Sequence, residues 1–475
     1  MPETDRRGFL GGLAAIAIAP PGRATQPQDP ASPPDLGQLI TIARSTPRDE
    51  MVGKAIALHR GGASWRDLLG AAFLAGVRDV RPRPVGYQFH CVLMTASAYQ
   101  IAEALPEGER VVPALFNLAD LKLSQELDAR RDWTMPAAPA VAGDRNTSFA
   151  KLREGLDAYD VHAADEAATA VWRCSSLDEV FEVLWLYGAR DFTNIGHNPI
   201  FVAQAHRTLQ QVGWRCGEDV VRSLVYGLLD GGPGKNDATF LPNRERAARL
   251  RADWRHGKPS AIARAELLAT LRKVDAGEAA DAVVEQIAGG LALSSVFDAL
   301  RLFAVEQLWR APGILAVHAL TSCNALRYGL EHCRTDSTQR LMLLQAASWL
   351  VLYRDYLAAR PNYDHDKPGL DALVAADAQV TAAAVFEAAG EDHAKAAALC
   401  LTAAKTGGLE PLGAELRHWL VRKADEHHEY KLAQALLEEM ALTEPDVASR
   451  LLAGSLGYVR TPGSSDSDVW RQANA

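Results

Sequence analysis

The sequence predicts an all-α fold, and three observations predict it. Ala- and Leu-rich windows with apolar residues three and four apart run through most of the chain, and alternating strand-like stretches are nearly missing. The third is a recurring phrase, in which a Ser-x-x-acid opens one apolar stretch and a histidine heads the next: Ser64 to His90, Ser176 to His197, Ser295 to His318. Repeated units of this kind stack so that each buries its neighbour's apolar face. The expected architecture is a helical-repeat array of three to four related units, closing around a central cavity if the units wrap about an axis.

Composition bounds the function. The chain has 475 residues, 48% hydrophobic and 23% charged, which is ordinary for a folded globular protein. A net charge of −9 without a Lys/Arg-rich run argues against nucleic acid as a partner. No apolar run reaches the ~18 residues a spanning helix needs, so no membrane span is expected in the mature chain.

From the N-terminus, Arg6-Arg7 followed by Gly8-Phe9-Leu10 and a short Gly/Ala-rich run reads as a twin-arginine signal peptide over 1–24. Cleavage is expected between Ala19 and Thr25, although Pro20 makes the nearer site awkward. This address makes the export machinery a partner, crossed in the folded state, and places the protein in the periplasm or outside the cell. A Pro-rich linker is expected over 25–50, a helical-repeat domain over 51–440, and a C-terminal tail over 441–475.

Within the repeat domain the units span about 52–124, 165–231, 280–356 and, in degenerate form, 371–440. Asp67, Glu179 and Asp298 stand three residues after their serines, the spacing of a capping box. Gly76 and Gly188 lie twelve residues after the first two serines and suit helix ends; Gln307 takes that place in the third. A histidine-headed helix follows, then a third helix. The segments 125–164 and 232–279 are longer and more polar, as loops between units are. Six cysteines without a C-x-x-C pair give no disulfide framework, and most are expected free and buried.

A lone histidine in a helical protein is usually structural, but recurrence at one place of a unit changes its meaning. If the units close around an axis, His90, His197, His318 and His393 converge on one cavity, as catalytic groups or as ligands of one transition metal ion such as Fe, Zn or Cu. The rival explanation is a histidine that caps the second helix of each unit through backbone bonds. Seven residues on, Ser97 and Gln204 share the histidine face and can line a pocket, whereas Tyr99, His206 and Arg327, nine residues on, should face away. His427 and His428 sit between Glu426 and Glu429 and read as a solvated helix face. The sequence contains no G-x-G-x-x-G, Walker, H-E-x-x-H or G-x-S-x-G motif.

The stretches GYQFHCVLMTASAY, NIGHNPIFVAQAH and VHALTSCNALRYG, around His90, His197 and His318, resemble histidine-headed helices of the questin oxidase-like family. That family opens an anthraquinone ring by a Baeyer–Villiger-type oxygen insertion, using NADPH without a flavin-binding motif. The resemblance implies an oxygen-dependent oxidoreductase acting on an aromatic or quinone-like small molecule. Two departures matter: the F-H helix here precedes the G-H helix, and export removes the protein from the NADPH pool, so another reductant, or a different reaction, is required. The alternative is a non-catalytic helical-repeat protein that binds a small ligand or a protein in its concave face.

Overall fold

The computed structural model describes residues 36–129, 133–141, 143–213, 216–230, 232, 238–376 and 378–475. The signal-peptide reading and the Pro-rich stretch up to residue 35 lie outside the described residues. Among the described residues the chain forms α-helices without a strand, apart from a single bridge between Lys258 and Leu291. The helices are α1 (Leu36–Ser45), α2 (Arg48–Arg60), α3 (Trp65–Asp79), α4 (His90–Leu93), α5 (Thr95–Glu103), α6 (Val112–Asp128), α7 (Arg145–Asp157) and α8 (Val161–Cys174). There follow α9 (Leu177–Gly188), α10 (Thr193–Val212), α11 (Gly217–Leu228), α12 (Phe240–Arg249), α13 (Ala261–Leu271), α14 (Ala276–Ala288), α15 (Leu293–Arg310) and α16 (Ile314–His332). The last are α17 (Asp336–Ala358), α18 (Ala382–Ala389), α19 (His393–Gly407), α20 (Glu410–Lys423), α21 (His427–Ala441), α22 (Pro445–Ser455) and α23 (Asp468–Ala473).

Four segments form the centre. The α4–α5 segment packs on α10, α10 on α16, α16 on α21, and α21 back on α4–α5. Each begins at a histidine or within one turn of one, and those histidines meet, so the four helices run side by side from a common end. Parallel neighbours cannot be joined by short loops. The chain must travel back each time, and the flanking helices do this. Three helices in succession, with the histidine-headed one in the middle, therefore occur as α3–α4/α5–α6, α9–α10–α11, α15–α16–α17 and α20–α21–α22.

Local sequence explains most helix starts. Ser64 and Asp67 form the expected capping box, as do Ser176 and Glu179. The third phrase differs: α15 begins before Ser295, whose hydroxyl accepts the Ser260 N–H at 3.2 Å, while Asp298 is buried and paired with Arg301 at 2.9 Å. Gly76 does not end its helix either. A Cβ there would stand 2.8 Å from Val92, and one at Gly188 would stand 2.9 Å from Val202. Both glycines allow a helix to lie close against the histidine-headed helix that follows it.

Two expected boundaries are corrected. Residues 36–45 and 48–50, expected within the linker, belong to α1 and α2, and α1 buries Leu39, Ile40 and Ala43, spaced for one helix face. Residues 445–455 form α22, which buries Val447, Leu451 and Leu452, so the chain beyond 441 belongs to the fold. No helix among the described residues is long and apolar enough to cross a membrane.

Candidate metal centre

At the common end of the four central helices, five imidazoles gather. His197 and His318 approach Nε2 to Nε2 at 2.9 Å. His428 stands with its ring centroid 5.0 Å from that of His318, and His90 lies 4.5 Å from His428 and 5.3 Å from His197. His427 stacks on His90 at 3.9 Å. Two triads result, His197–His318–His428 and His90–His427–His428, and within each the ligand atoms all lie within 4.8 Å of one another. His428 belongs to both.

The partners of the other ring nitrogens settle the tautomers in the first triad. His318 Nδ1 lies 2.6 Å from the Ile314 carbonyl, and His197 Nδ1 is bonded to the Asn194 carbonyl. A carbonyl can only accept, so each Nδ1 carries the hydrogen and each Nε2 is left with a lone pair. His428 Nδ1 donates in the same way to the Glu426 carboxylate at 2.8 Å, and its buried Nε2 has no partner. Lone pairs of three rings thus face one region. A shared proton would need an imidazolium, which burial opposes: it pushes His197 down to about 3 and puts His318 and His428 far below the usual histidine range. A metal ion satisfies all three. Ligands ~2.1 Å from a tetrahedral ion stand about 3.4 Å apart, so the 2.9 Å pair needs only a few tenths of an ångström to seat one. The buried histidines can therefore hold a metal ion, and the carbonyls and Glu426 are the outer partners that such ligands require.

The second triad has a different outer layer. His427 Nδ1 pairs with Asp120 Oδ1 at 3.0 Å, and Lys431 Nζ lies 2.9 Å from His90 Nδ1. Lys431 is buried, and among the described residues no carboxylate lies at hydrogen-bonding distance from it. Burial lowers its ammonium to about 7, against the pull of Glu426 and Asp120 upward. As the free amine it accepts as well as donates, so His90, unlike the other rings, can hold its proton on either nitrogen.

The turn before His197 is built at a conformational cost. Asn194, Ile195 and Gly196 have φ of 52°, 53° and 74°, a left-handed run that a β-branched isoleucine rarely adopts. It is held by Tyr353, which donates to the Ile195 carbonyl at 2.6 Å, and by Asn194 Nδ2 on Asp230 at 2.6 Å. The run aims the Asn194 carbonyl at His197. A Cβ at position 196 would stand 2.5 Å from the Tyr353 hydroxyl and 3.1 Å from Ser322. Gly196→Ala is expected to cost about 2–4 kcal/mol of stability, read from the shift of the denaturant midpoint. A loss below about 0.5 kcal/mol would show that the turn adapts.

Of the residues expected at a site, His90, His197 and His318 come together. His393 does not: it is exposed at the start of α19, beside Gly457. The helix that completes the ring is α21, and the solvated-face reading of His427 and His428 is corrected, since His428 is 4% exposed. Ser97 and Gln204 are also corrected. They lie deeper in the ring, where Gln204 Nε2 donates to Ser97 at 3.2 Å and to Gln434 at 3.3 Å, a buried network rather than a pocket lining. Of the residues nine positions on, Tyr99 bonds Arg66 and His206 bonds Tyr328 at 2.9 Å, but Arg327 does not face away: it turns to Glu438 and Glu439 on α21, within the ring. One available signal marked α21. Gln434 follows His427 by seven residues, as Gln204 follows His197 and Ser97 follows His90. Cys91, Cys323, Cys333 and Cys400 are buried free thiols. No family model matches the chain, and neither the curated proteins nor the solved structures offer a match.

Proposed function

We propose that this protein is a metal-dependent oxidoreductase, an oxygenase acting on an aromatic or quinone-like small molecule. The observation that carries the reading is the meeting of three imidazole lone pairs whose other nitrogens are committed to acceptors. An all-imidazole set suits iron, copper or zinc, and oxygen chemistry favours the redox-active pair. A bound iron or copper ion would supply the one-electron chemistry with oxygen that organic side chains lack.

The chain's own groups then divide the work. His197, His318 and His428 would hold the ion, with His90 and His427 beside them. Lys431 moves a proton at His90 Nδ1, and Asp120 fixes the His427 ring. The central helices direct their N-termini at the site, which favours negative charge there, so an ionised phenolic oxygen is the substrate group the field suits best. The resemblance of the three histidine-headed helices to the questin oxidase-like family supports oxidation. Export in the folded state by the twin-arginine route would carry the metal across already bound, and a reductant other than NADPH would serve outside the cytoplasm.

Elemental analysis of protein purified without a histidine tag tests the metal. One equivalent of iron or copper per chain is expected. Failure to retain Fe(II), Cu(II) or Zn(II) after reconstitution would refute the reading. Oxygen uptake with a hydroxyanthraquinone then separates an oxidoreductase from a metal-bearing binding scaffold.

A further inference from the structure

One pocket reaches the histidine cluster. It has a volume of about 420 Å³ and is lined by Pro84, Val85, Gly86, Tyr87, Asn194, Ile195 and His197. That volume is in the range that holds a drug-sized molecule. The lining is mostly apolar and includes no lysine or arginine. Its two walls are the segments with left-handed backbone: Gly86 and Tyr87 with φ of 116° and 38°, and the 194–196 turn. Gly86 lies against the His197 ring, so closely that a Cβ there would stand 2.9 Å from His197 Cε1. At the rim, Tyr87 is 67% exposed, unusual for a large aromatic side chain. Strained backbone on both sides of one opening, ending at one imidazole, is the pattern of a built entrance.

We infer that this pocket is the substrate entrance of the centre, that it admits edge-first between Tyr87 and Ile195 a flat ring system whose one ionisable group is a phenolic hydroxyl at its inner end, and that Tyr87 selects for such a ring by stacking on it. The inference rests on the metal-centre reading for what lies at the inner end, while the pocket itself is made by the protein alone. A body bearing phosphate or carboxylate groups would find no cation along the walls, whereas an aromatic body meets Pro84, Tyr87 and Ile195. Besides the Tyr87 hydroxyl at the rim, the polar side chains of the lining are Asn194 and His197, so few polar groups of the ligand are met and those at the inner end lie near His197.

The test uses 2-naphthol, titrated calorimetrically into the metal-loaded and the metal-stripped protein. Binding is expected in both forms. Tyr87→Ala should weaken it about three- to tenfold, Tyr87→Phe should leave it unchanged, and Ile195→Trp, which fills the mouth, should abolish it. Because Tyr87 is exposed, its variants are expected to melt like the wild type, which checks folding. Loading with Co(II) places the ligand: naphthol proton resonances should broaden in the wild type. Binding unaffected by both Tyr87→Ala and Ile195→Trp, or no binding in either form, would overturn the entrance even if the metal is present. Binding that persists and responds to Tyr87 in a protein that holds no metal would instead sink the metal centre alone.

Discussion

His428→Ala is expected to abolish stoichiometric metal, with a fall in affinity of well over 100-fold. Losing an outer partner of a metal ligand already costs 10- to 100-fold, and this substitution removes the ligand itself. The effect should exceed that at any other single histidine, because His428 is the ring common to both triads and its loss leaves each with two members. Its Nε2 is also a buried ring nitrogen without a hydrogen-bond partner, which a bound ion would satisfy. Stability gives a second readout. A ligand that binds only the folded state stabilises it by mass action, so chelation should lower the melting temperature of the wild type and leave His428→Ala unmoved. His393→Ala is the matching control. The residue is exposed on α19, and its variant should keep both the metal and the chelator response. Full retention of metal by His428→Ala, or its loss in His393→Ala, would break the assignment.

The contrast between these two histidines shows what the sequence made legible. The helical class followed from periodicity alone, and the first two capping boxes lie where Ser64 and Ser176 predict them. Three of the clustered histidines were marked by position within a recurring phrase, since His90, His197 and His318 each head a helix after a first one. The fourth helix escaped because the phrase that announced the others is missing before it. α20 opens on Glu410-Pro411 without a serine cap, whereas the apolar stretch of α18 leads straight into His393. Neighbouring charge misled as well. Glu426, Glu429 and Asp425 around the His427-His428 pair look solvated in one dimension, yet Glu426 is the acceptor that orients His428, and Glu429 is tied to Arg460 from beyond α22. Residue type alone does not decide whether α21 is a solvated face or part of the core. Its burial was a property of three other helices, and no local window contains them.

The depth of the ring below the histidines supplies the second large effect. Glu439 on α21 is buried and pairs with Arg301 at 2.5 Å and Arg327 at 2.6 Å, while Asn324 donates to it at 2.6 Å. Glu439→Gln removes a buried charge that pairs with both arginines and is expected to cost about 3–5 kcal/mol, the penalty for breaking a buried ion pair by removing one partner. Denaturation in urea at pH 7 measures it; a loss below about 1 kcal/mol would mean that Glu438 and Asp298 take over the pairing. The pH dependence fixes the origin of the effect. Burial alone would raise the Glu439 carboxyl, but Arg327 and Arg301 outweigh it and bring it down to about 2 from an unfolded value of 4.5. A depressed carboxyl stabilises the fold above its unfolded value and loses that contribution as pH falls through the folded one. The wild type should therefore lose stability between about pH 4.5 and pH 2, and Glu439→Gln should lack that component of the loss. The same variant bears on the metal centre. Glu439 lies eleven residues beyond His428 on one helix, about 16 Å along its axis, and its arginines belong to α15 and α16. Loosening that end lets α21 shift against α16, which carries His318, so metal affinity should fall at neutral pH although no ligand has been touched. A variant that is destabilised yet binds metal as tightly as the wild type would show that the histidine end is held by its own hydrogen bonds, through Ile314, Asn194 and Glu426, and not by the ion pairs beneath it.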